Sequence, residues 1–426
     1  MKRISLAFVV VALVLVAACS PASPSGQGTS GDKVLKLGVL GPYTGKNARV
    51  GEEFKGAVTM AFEAIDYKIG DYKIELVWVD SEGDPEKATR AYEEAALKSN
   101  IDAGILNWQS SVSVAAMEVV ANHKIPHFFG FGATEVVNEK YEKDPERYSY
   151  WMGKTWPSPV KLSSAYVVAL EDAIESGEWN LAEKNAAIFG EDTDWGRSFG
   201  AGIQSQLEDA GWTIVSEDYF VRGETEFYPL LNRLKNQNVV LLAGTANSPS
   251  TESLVKQARE VELESFIVMD GLGWIGEWYE LCGDASDYVL DQIPQWTTEE
   301  AKAFRDEFEE RWGFVPSPSA GGLSYDMTNF FIKIAQRAYD EHGELSRETL
   351  YKVGQEELWT GKLTYTRDDG AIVMERYIYT AESVPDPVVG QGDFIFPVIQ
   401  YFSGEGNVIW PDVWKTADLR IPPYMQ

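Results

Sequence analysis

From Val34 onward, apolar and polar positions follow a repeating order. The apolar run "VLKLGVLG" precedes "GEEFKGAVTMAFEAI", in which Phe54, Ala57, Met60, Ala61 and Ala64 recur at helical spacing. "KIELVWVD", a helix near 85–98, "IDAGILNW", a helix near 112–122 and "IPHFFGFG" continue the alternation. After Tyr150 the series restarts. The helix "SPVKLSSAYVVALEDAI" leads to "NAAIFG", a helix near 196–210, "WTIVSEDYF", a helix near 227–235, "NVVLLAG", a helix near 251–261 and "SFIVMDG". Short apolar strands alternating with amphipathic helices predict α/β architecture, with parallel sheets covered on both faces. Two successive runs of similar length predict two similar lobes. Later strands ("YVLDQI", "LTYTRDDG", "VMERYIYT", "FPVIQYFS", "NVIWP") flank helices near 298–311, 321–341 and 346–354, so the chain is expected to cross between lobes more than once.

The N-terminus breaks this pattern. Lys2-Arg3 precedes an apolar stretch from Ile4 to Leu15, interrupted only by Ser5, and small residues lead to Cys19. This is the layout of a secretory signal over 1–18, and its apolar run is short for a spanning helix, which needs about 20 residues. Val16-Ala17-Ala18-Cys19 resembles the bacterial lipobox, which implies lipidation of Cys19. The Ser/Pro/Gly-rich stretch 19–33 then reads as a flexible tether. The other cysteine, Cys282, reads as a small buried residue.

Composition narrows the function. The chain has 426 residues, 44% of them apolar, enough for two lobes with real cores, and its net charge is −29. So acidic a surface repels phosphate backbones, so nucleic acid is not an expected partner.

Chemistry is expected where strands feed helices, at the carboxyl ends of a parallel sheet. "GPYTGKN" (41–47) imitates a phosphate loop but is one residue short, with Asn47 in place of the hydroxyl. It reads more simply as a turn. "GLGWIG" (271–276) matches GxGxxG after a strand, with Asp291 about 20 residues on, but its following helix is broken at Gly283. His123 and His127 straddle Pro126, so no helix face unites them, and His342 is far away in sequence. No metal motif, cofactor motif or marked nucleophile emerges. "NWQSS" (107–111) is more informative. Ser110 and Ser111 stand between a strand and a helix, where free N–H groups and the helix dipole favour an anion. A helix cap without a ligand is the alternative. Gly132-Ala133-Thr134 forms a second polar turn after the next strand, expected beside the first.

Taken together, these segments resemble the type I periplasmic binding proteins of the leucine/isoleucine/valine-binding family. The resemblance runs from about Lys36 to Pro411 and rests on "LKLGVLGPYTG…GEEFKGAVTMAFEAI", Ser-Ser followed by Gly-Ala-Thr, "NAAIFGEDTDWGRSFG", "NRLKNQNVVLLAG" and "VKQAREVELESFIVMDG". It implies two Rossmann-like lobes joined by three crossovers around a hinged cleft. The boundaries expected are 34–155 plus about 295–358 for lobe one, 156–294 plus about 359–411 for lobe two, and a tail over 412–426. It also implies that Ser111, beside Ser110, grips a ligand carboxylate, and that Gly132, Ala133 and Thr134 complete the head-group site. Asp270 is placed to pair with an ammonium, and Trp195 to form an aromatic wall. Trp108 departs from the small residues common in the family, and fourteen tryptophans, Trp151, Trp156 and Trp274 among them, leave room for an aromatic or amide ligand. The expectation is a monomeric, extracytoplasmic, lipid-anchored receptor that passes an amino acid or related carboxylate to an ABC permease, without a cofactor. The rivals are an exported ligand sensor with no transport role, and an exported hydrolase or dinucleotide enzyme.

Overall fold

A computed structural model of the chain describes residues 33–274 and 278–425. The signal segment and Cys19 lie outside the described residues, as does the tether up to residue 32. In the first lobe, β1 (Lys33–Gly41), β2 (Lys68–Ile69), β3 (Tyr72–Asp80), β4 (Ala103–Ile105) and β5 (His127–Phe128) form a sheet in the order β2-β3-β1-β4-β5. All its pairings are parallel except the β2–β3 hairpin, which the sequence pattern did not reveal. Its helices are α1 (Ala48–Glu63), α2 (Pro85–Glu94), α3 (Ser110–His123), α4 (Glu135–Lys143) and the short α5 (Pro145–Tyr148). Local chemistry sets several of these boundaries. The Asp84 carboxylate caps α2 by accepting from Lys87 N–H, and Pro85 starts the helix where no N–H is needed.

The second lobe begins with α6 (Pro159–Glu175). Four βα units follow: β6 (Asn185–Glu191) with α7 (Asp194–Asp209), β7 (Thr213–Phe220) with α8 (Tyr228–Asn236), β8 (Leu241–Thr245) with α9 (Ser250–Glu260), and β9 (Phe266–Asp270) with α10 (Trp278–Cys282). Then β10 (Leu290–Gln292) leads back to lobe one through α11 (Glu299–Trp312), α12 (Leu323–His342), α13 (Arg347–Val353) and the hairpin β11 (Tyr365–Thr366)–β12 (Arg376–Tyr377). The chain finally returns as β13 (Val398–Phe402) and β14 (Glu405–Trp410). The second sheet has the order β14-β13-β10-β9-β8-β6-β7. Its core is parallel, as expected, and β13 and β14 run antiparallel at one edge.

The Asp326 carboxylate on α12 accepts from Ile372 N–H, Val373 N–H and the Tyr377 hydroxyl, which ties residues 372–377 to that helix. Burial places Cys282 as expected: it is enclosed, and burial pushes its thiol up to about 12.

The crossovers meet at a buried ion pair. Lys154 and Asp386, both fully enclosed, pair at 2.8 Å, and Lys161 at the start of α6 reaches the other Asp386 oxygen at 2.8 Å. Lys154 also donates to Ala133 O at 2.9 Å and Asn138 Oδ1 at 2.7 Å. Burial works against the charge on Asp386, yet the two ammoniums hold its carboxyl below its ordinary value. Removing one partner strands a buried charge, so Lys154→Met should destabilise the fold by about 3–5 kcal/mol. The Lys154→Met/Asp386→Leu pair should recover part of that loss, because Lys161 is half exposed. Equal urea midpoints for wild type and Lys154→Met would refute this role.

His127 supplies a pH signature. It is enclosed, stacks on Trp151 with ring centroids 4.5 Å apart, and makes hydrogen bonds of 2.8 Å to the Tyr92 hydroxyl and 2.7 Å to Leu106 O. A carbonyl only accepts, so Nε2 carries the proton and Nδ1 accepts from Tyr92. Burial lowers its pKa to about 3. Between its unfolded value of about 6.5 and pH 3, the unfolded chain binds a proton that the native state refuses. This residue therefore removes stability as pH falls through that window, by up to about 1.4 kcal/mol per pH unit. Subtracting the stability–pH curve of His127→Gln from that of wild type should isolate this slope, and a flat difference would contradict it.

Candidate functional site: the cleft between the lobes

The two sheets present their strand ends to each other across a cleft. Lobe one contributes Trp108, Gln109, Ser110, Ser111, Phe131 and Ala133. Lobe two contributes Glu191, Thr193, Trp195, Arg222, Asn247 and Trp274, with Trp156 at the crossover. The lobes are closed on one another. Thr134 and Ser198 hydroxyls meet at 2.7 Å, Arg222 donates to Gly83 O at 2.9 Å and to Asn47 Oδ1, and the Ser319 hydroxyl donates to Trp274 O at 3.1 Å.

The lobe-one wall of the cleft includes the start of α3. Gln109 occupies the cap position but its side chain makes no cap bond, so the first-turn amides lack both a cap and an intrahelical acceptor. Ser110 and Ser111 both line the cleft there. The Ser110 hydroxyl accepts from Thr134 N–H at 3.2 Å, which ties the 132–134 turn to the helix start. Gly132 permits this approach: a Cβ on it would lie 1.9 Å from Ser113 Oγ and 3.0 Å from Ser110 Cα.

Opposite stands Glu191, at the end of β6 and 1% exposed. Its two oxygens accept from Asn247 N–H at 3.1 Å and Asn247 Nδ2 at 2.9 Å. Between these ends lies an aromatic cluster. Trp108 meets Trp274 at 6.0 Å and Trp156 at 6.3 Å, both edge to face, while Trp195 lies 5.6 Å from Trp274. The Trp195 indole N–H donates to Thr245 Oγ1 at 2.9 Å, whereas Trp274 Nε1 is buried without a partner.

Of the eight residues expected at the site, Trp108, Ser110, Ser111, Ala133 and Trp195 line the cleft, and Gly132, Thr134 and Asp270 do not. The groups of Thr134 are engaged elsewhere: its N–H on Ser110, its hydroxyl on Ser198 and on Val136 N–H. Asp270 sits behind the Trp195–Thr245 pair. Its backbone carbonyl accepts from Thr245, and its Oδ2 accepts from the Tyr166 hydroxyl at 2.9 Å. Burial, reinforced by neighbouring Asp291, pushes its carboxyl well above the usual range. Asp270 thus lies outside the cleft lining.

Both phosphate-like turns are filled by protein carboxylates. Asp80 accepts from Tyr43 N–H at 2.9 Å, and from the N–H and hydroxyl of Thr44. Asp291 accepts from Gly271 N–H at 3.0 Å and Gly273 N–H at 2.8 Å, which removes the amides a dinucleotide would need. Part of that motif, Ile275-Gly276, lies outside the described residues. Gln109, Phe131, Glu191, Thr193, Arg222 and Asn247 were not singled out in sequence. Most of them follow the ends of strands, so applying the strand-end rule to every strand would have found them.

Two α/β lobes shut on a cleft, with an uncapped helix start in one wall and a carboxylate in the other, have the layout of a solute-binding protein. Residues 34–385 match the periplasmic binding protein family. The chain belongs to this family, in its type I, branched-chain amino acid group. A relative described as an amino acid binding protein from Pseudomonas aeruginosa is 24% identical over 257 residues, covering 60% of this chain and 65% of that protein. The chain thus spans a little under two-thirds of that relative's length. Among solved structures, a putative branched-chain amino acid ABC transporter from Silicibacter pomeroyi superposes with a TM-score of 0.75 at 18% identity, covering 92% of this chain and all of that one. An ABC transporter solute binding protein from Rhodopseudomonas palustris BisB5, in complex with 3,4-dihydroxy benzoic acid, gives 0.70 at 16% identity, covering 88% and 95%. The family is extracytoplasmic, and no described helix is long and apolar enough to cross a membrane.

Proposed function

We propose that this chain is the substrate-binding component of an ABC importer, and that its cleft takes an amino acid or a closely related small carboxylate. The observation that carries the reading is the opposition of two charged ends across the lobes. The uncapped start of α3 suits a carboxylate. Glu191, buried and held by Asn247, suits the ammonium. A zwitterion joining the two favours the closed state over the open one, the differential affinity that closure requires. Trp108, Trp195 and Trp274 receive the ligand's apolar body. The relative described as an amino acid binding protein supports this, while the neighbour crystallised with 3,4-dihydroxy benzoic acid supports a flat aromatic acid as the second ligand class. The "VAAC" segment adds a lipid anchor at Cys19 and delivery to a membrane permease.

Calorimetry with leucine, phenylalanine and benzoate tests the assignment. Glu191→Gln should cost an amino acid about 2–5 kcal/mol, by leaving its ammonium unpaired, and should spare benzoate. Asp270→Asn should leave affinity unchanged, since Asp270 stands behind the wall. The opposite ranking of the two variants returns the ammonium to Asp270, and benzoate alone binding would favour the aromatic acid. For the anchor, Cys19→Ser should move the protein from the membrane to the soluble fraction on centrifugation; equal partitioning would refute lipidation.

A further inference from the structure

One polar arrangement in the cleft is not explained by a carboxylate and an ammonium alone. Arg222, on the loop after β7, crosses from lobe two to Asn47, the residue preceding α1. A guanidinium only donates, so the Asn47 atom facing it is Oδ1. The Gln109 amide meets that same oxygen at 2.9 Å, so the atom it presents is Nε2. The orientation of Gln109 is thereby set from the opposite lobe. Its Oε1 is left buried and without a partner, on a residue that lines the cleft immediately before Ser110.

We propose that closure of Arg222 onto Asn47 locks the Gln109 carbonyl toward a hydrogen-bond donor on the ligand carbon that bears the carboxylate, so that the cleft selects α-amino and α-hydroxy acids over acids lacking an α-donor. The inference rests on the reading that a ligand carboxylate sits at the start of α3. Gln109 directly precedes Ser110 and Ser111 on the same wall of the cleft, so the inference needs a donor beside that carboxylate. An α-substituent meets this condition, whereas a group at the far end of a side chain does not. A ligand without the donor leaves a desolvated carbonyl unsatisfied, which is costly relative to open water. In the open state Arg222 leaves Asn47, the amide is free to turn, and the discrimination disappears. Selection and closure are one event, and Arg222 and Asn47 act as positioning residues.

The test is calorimetry on the full chain with two ligand series: phenylalanine, 3-phenyllactate and 3-phenylpropanoate, and leucine, 2-hydroxy-4-methylpentanoate and 4-methylpentanoate. In wild type, the amino and hydroxy acids should bind at least about tenfold more tightly than the acid lacking the donor. Gln109→Leu should close most of the gap between the hydroxy acid and the donor-free acid, by tightening the donor-free acid, and should narrow it in part for the amino acid, whose ammonium still meets Glu191. Arg222→Ala and Asn47→Leu should narrow the gap similarly and add little to Gln109→Leu. Asn47→Asp, whose oxygens still accept from both neighbours, should preserve it. Equal affinity of wild type for phenylalanine and 3-phenylpropanoate overturns this inference and leaves the carboxylate receptor standing. So does an equal loss of all six ligands in Arg222→Ala, which would make Arg222 a direct carboxylate clamp. If none of the six binds wild type, the receptor reading and this inference fall together.

Discussion

The cleft depends on the enclosed Lys154–Asp386 pair. An ammonium and a carboxylate removed from water are tolerated only when each is paired and hydrogen-bonded. Lys154 meets this condition by drawing four parts of the chain to one point: the crossover that carries it, the later crossover that carries Asp386, Asn138 on α4, and the carbonyl of Ala133 in the site turn. Asp386 is held in turn by Asn138 Nδ2 and by Lys161 on α6 of lobe two. The hinge is therefore a polar knot rather than a greasy joint. Its geometry fixes where the 131–134 turn can lie, and that turn, through Thr134 N–H and Ser110, fixes the start of α3.

From this knot outward the cleft is assembled in layers. The Gly271–Gly273 turn is pinned by Asp291, whose carboxylate also accepts from the Tyr401 hydroxyl at 2.8 Å. Gly271 adopts φ 110° with the Trp274 indole against it, a conformation and a proximity that a side chain would not allow. Trp274 is thus held on a stiff turn, and the Ser319 hydroxyl of lobe one donates to its carbonyl across the cleft. The indole cluster buries a large apolar area in a small volume, which explains how so acidic a protein holds an apolar pocket at its centre. The acidic residues lie mostly outside, and the one carboxylate in the cleft lining is fixed by Asn247.

The alternation of strand and helix was legible from residue 34 onward, because parallel strands buried on both faces leave unbroken apolar runs. What it missed is what periodicity does not encode: the two-residue β2, the polar helix α4, and the antiparallel edge made by β13 and β14. Site residues divide the same way. Trp108, Ser110 and Ser111 follow a strand end within one lobe and were visible locally. Arg222 and Asn47 are 175 residues apart, and only the folded cleft brings them together. Asp270 ends β9, a position that suits a ligand, but its enclosed carboxyl accepts from Tyr166, and it is Glu191, at the end of β6, that lines the cleft.

Three turns along the chain offered backbone amides at a strand end, and the protein disposes of them differently. After β1, the amides are taken by Asp80; after β9, by Asp291. Each carboxylate neutralises a partial positive charge that would otherwise attract an anion, so the phosphate-like motifs are already filled from within. At the start of α3 no acidic residue lies in the first turn and no side chain caps it. The half-buried Gln109 next to it turns its N–H toward Asn47 rather than toward the helix. Of the turns that resembled anion sites in sequence, this one keeps its field directed into the cleft. The absence of an internal carboxylate, more than the presence of two serines, sets "NWQSS" apart from the other two turns.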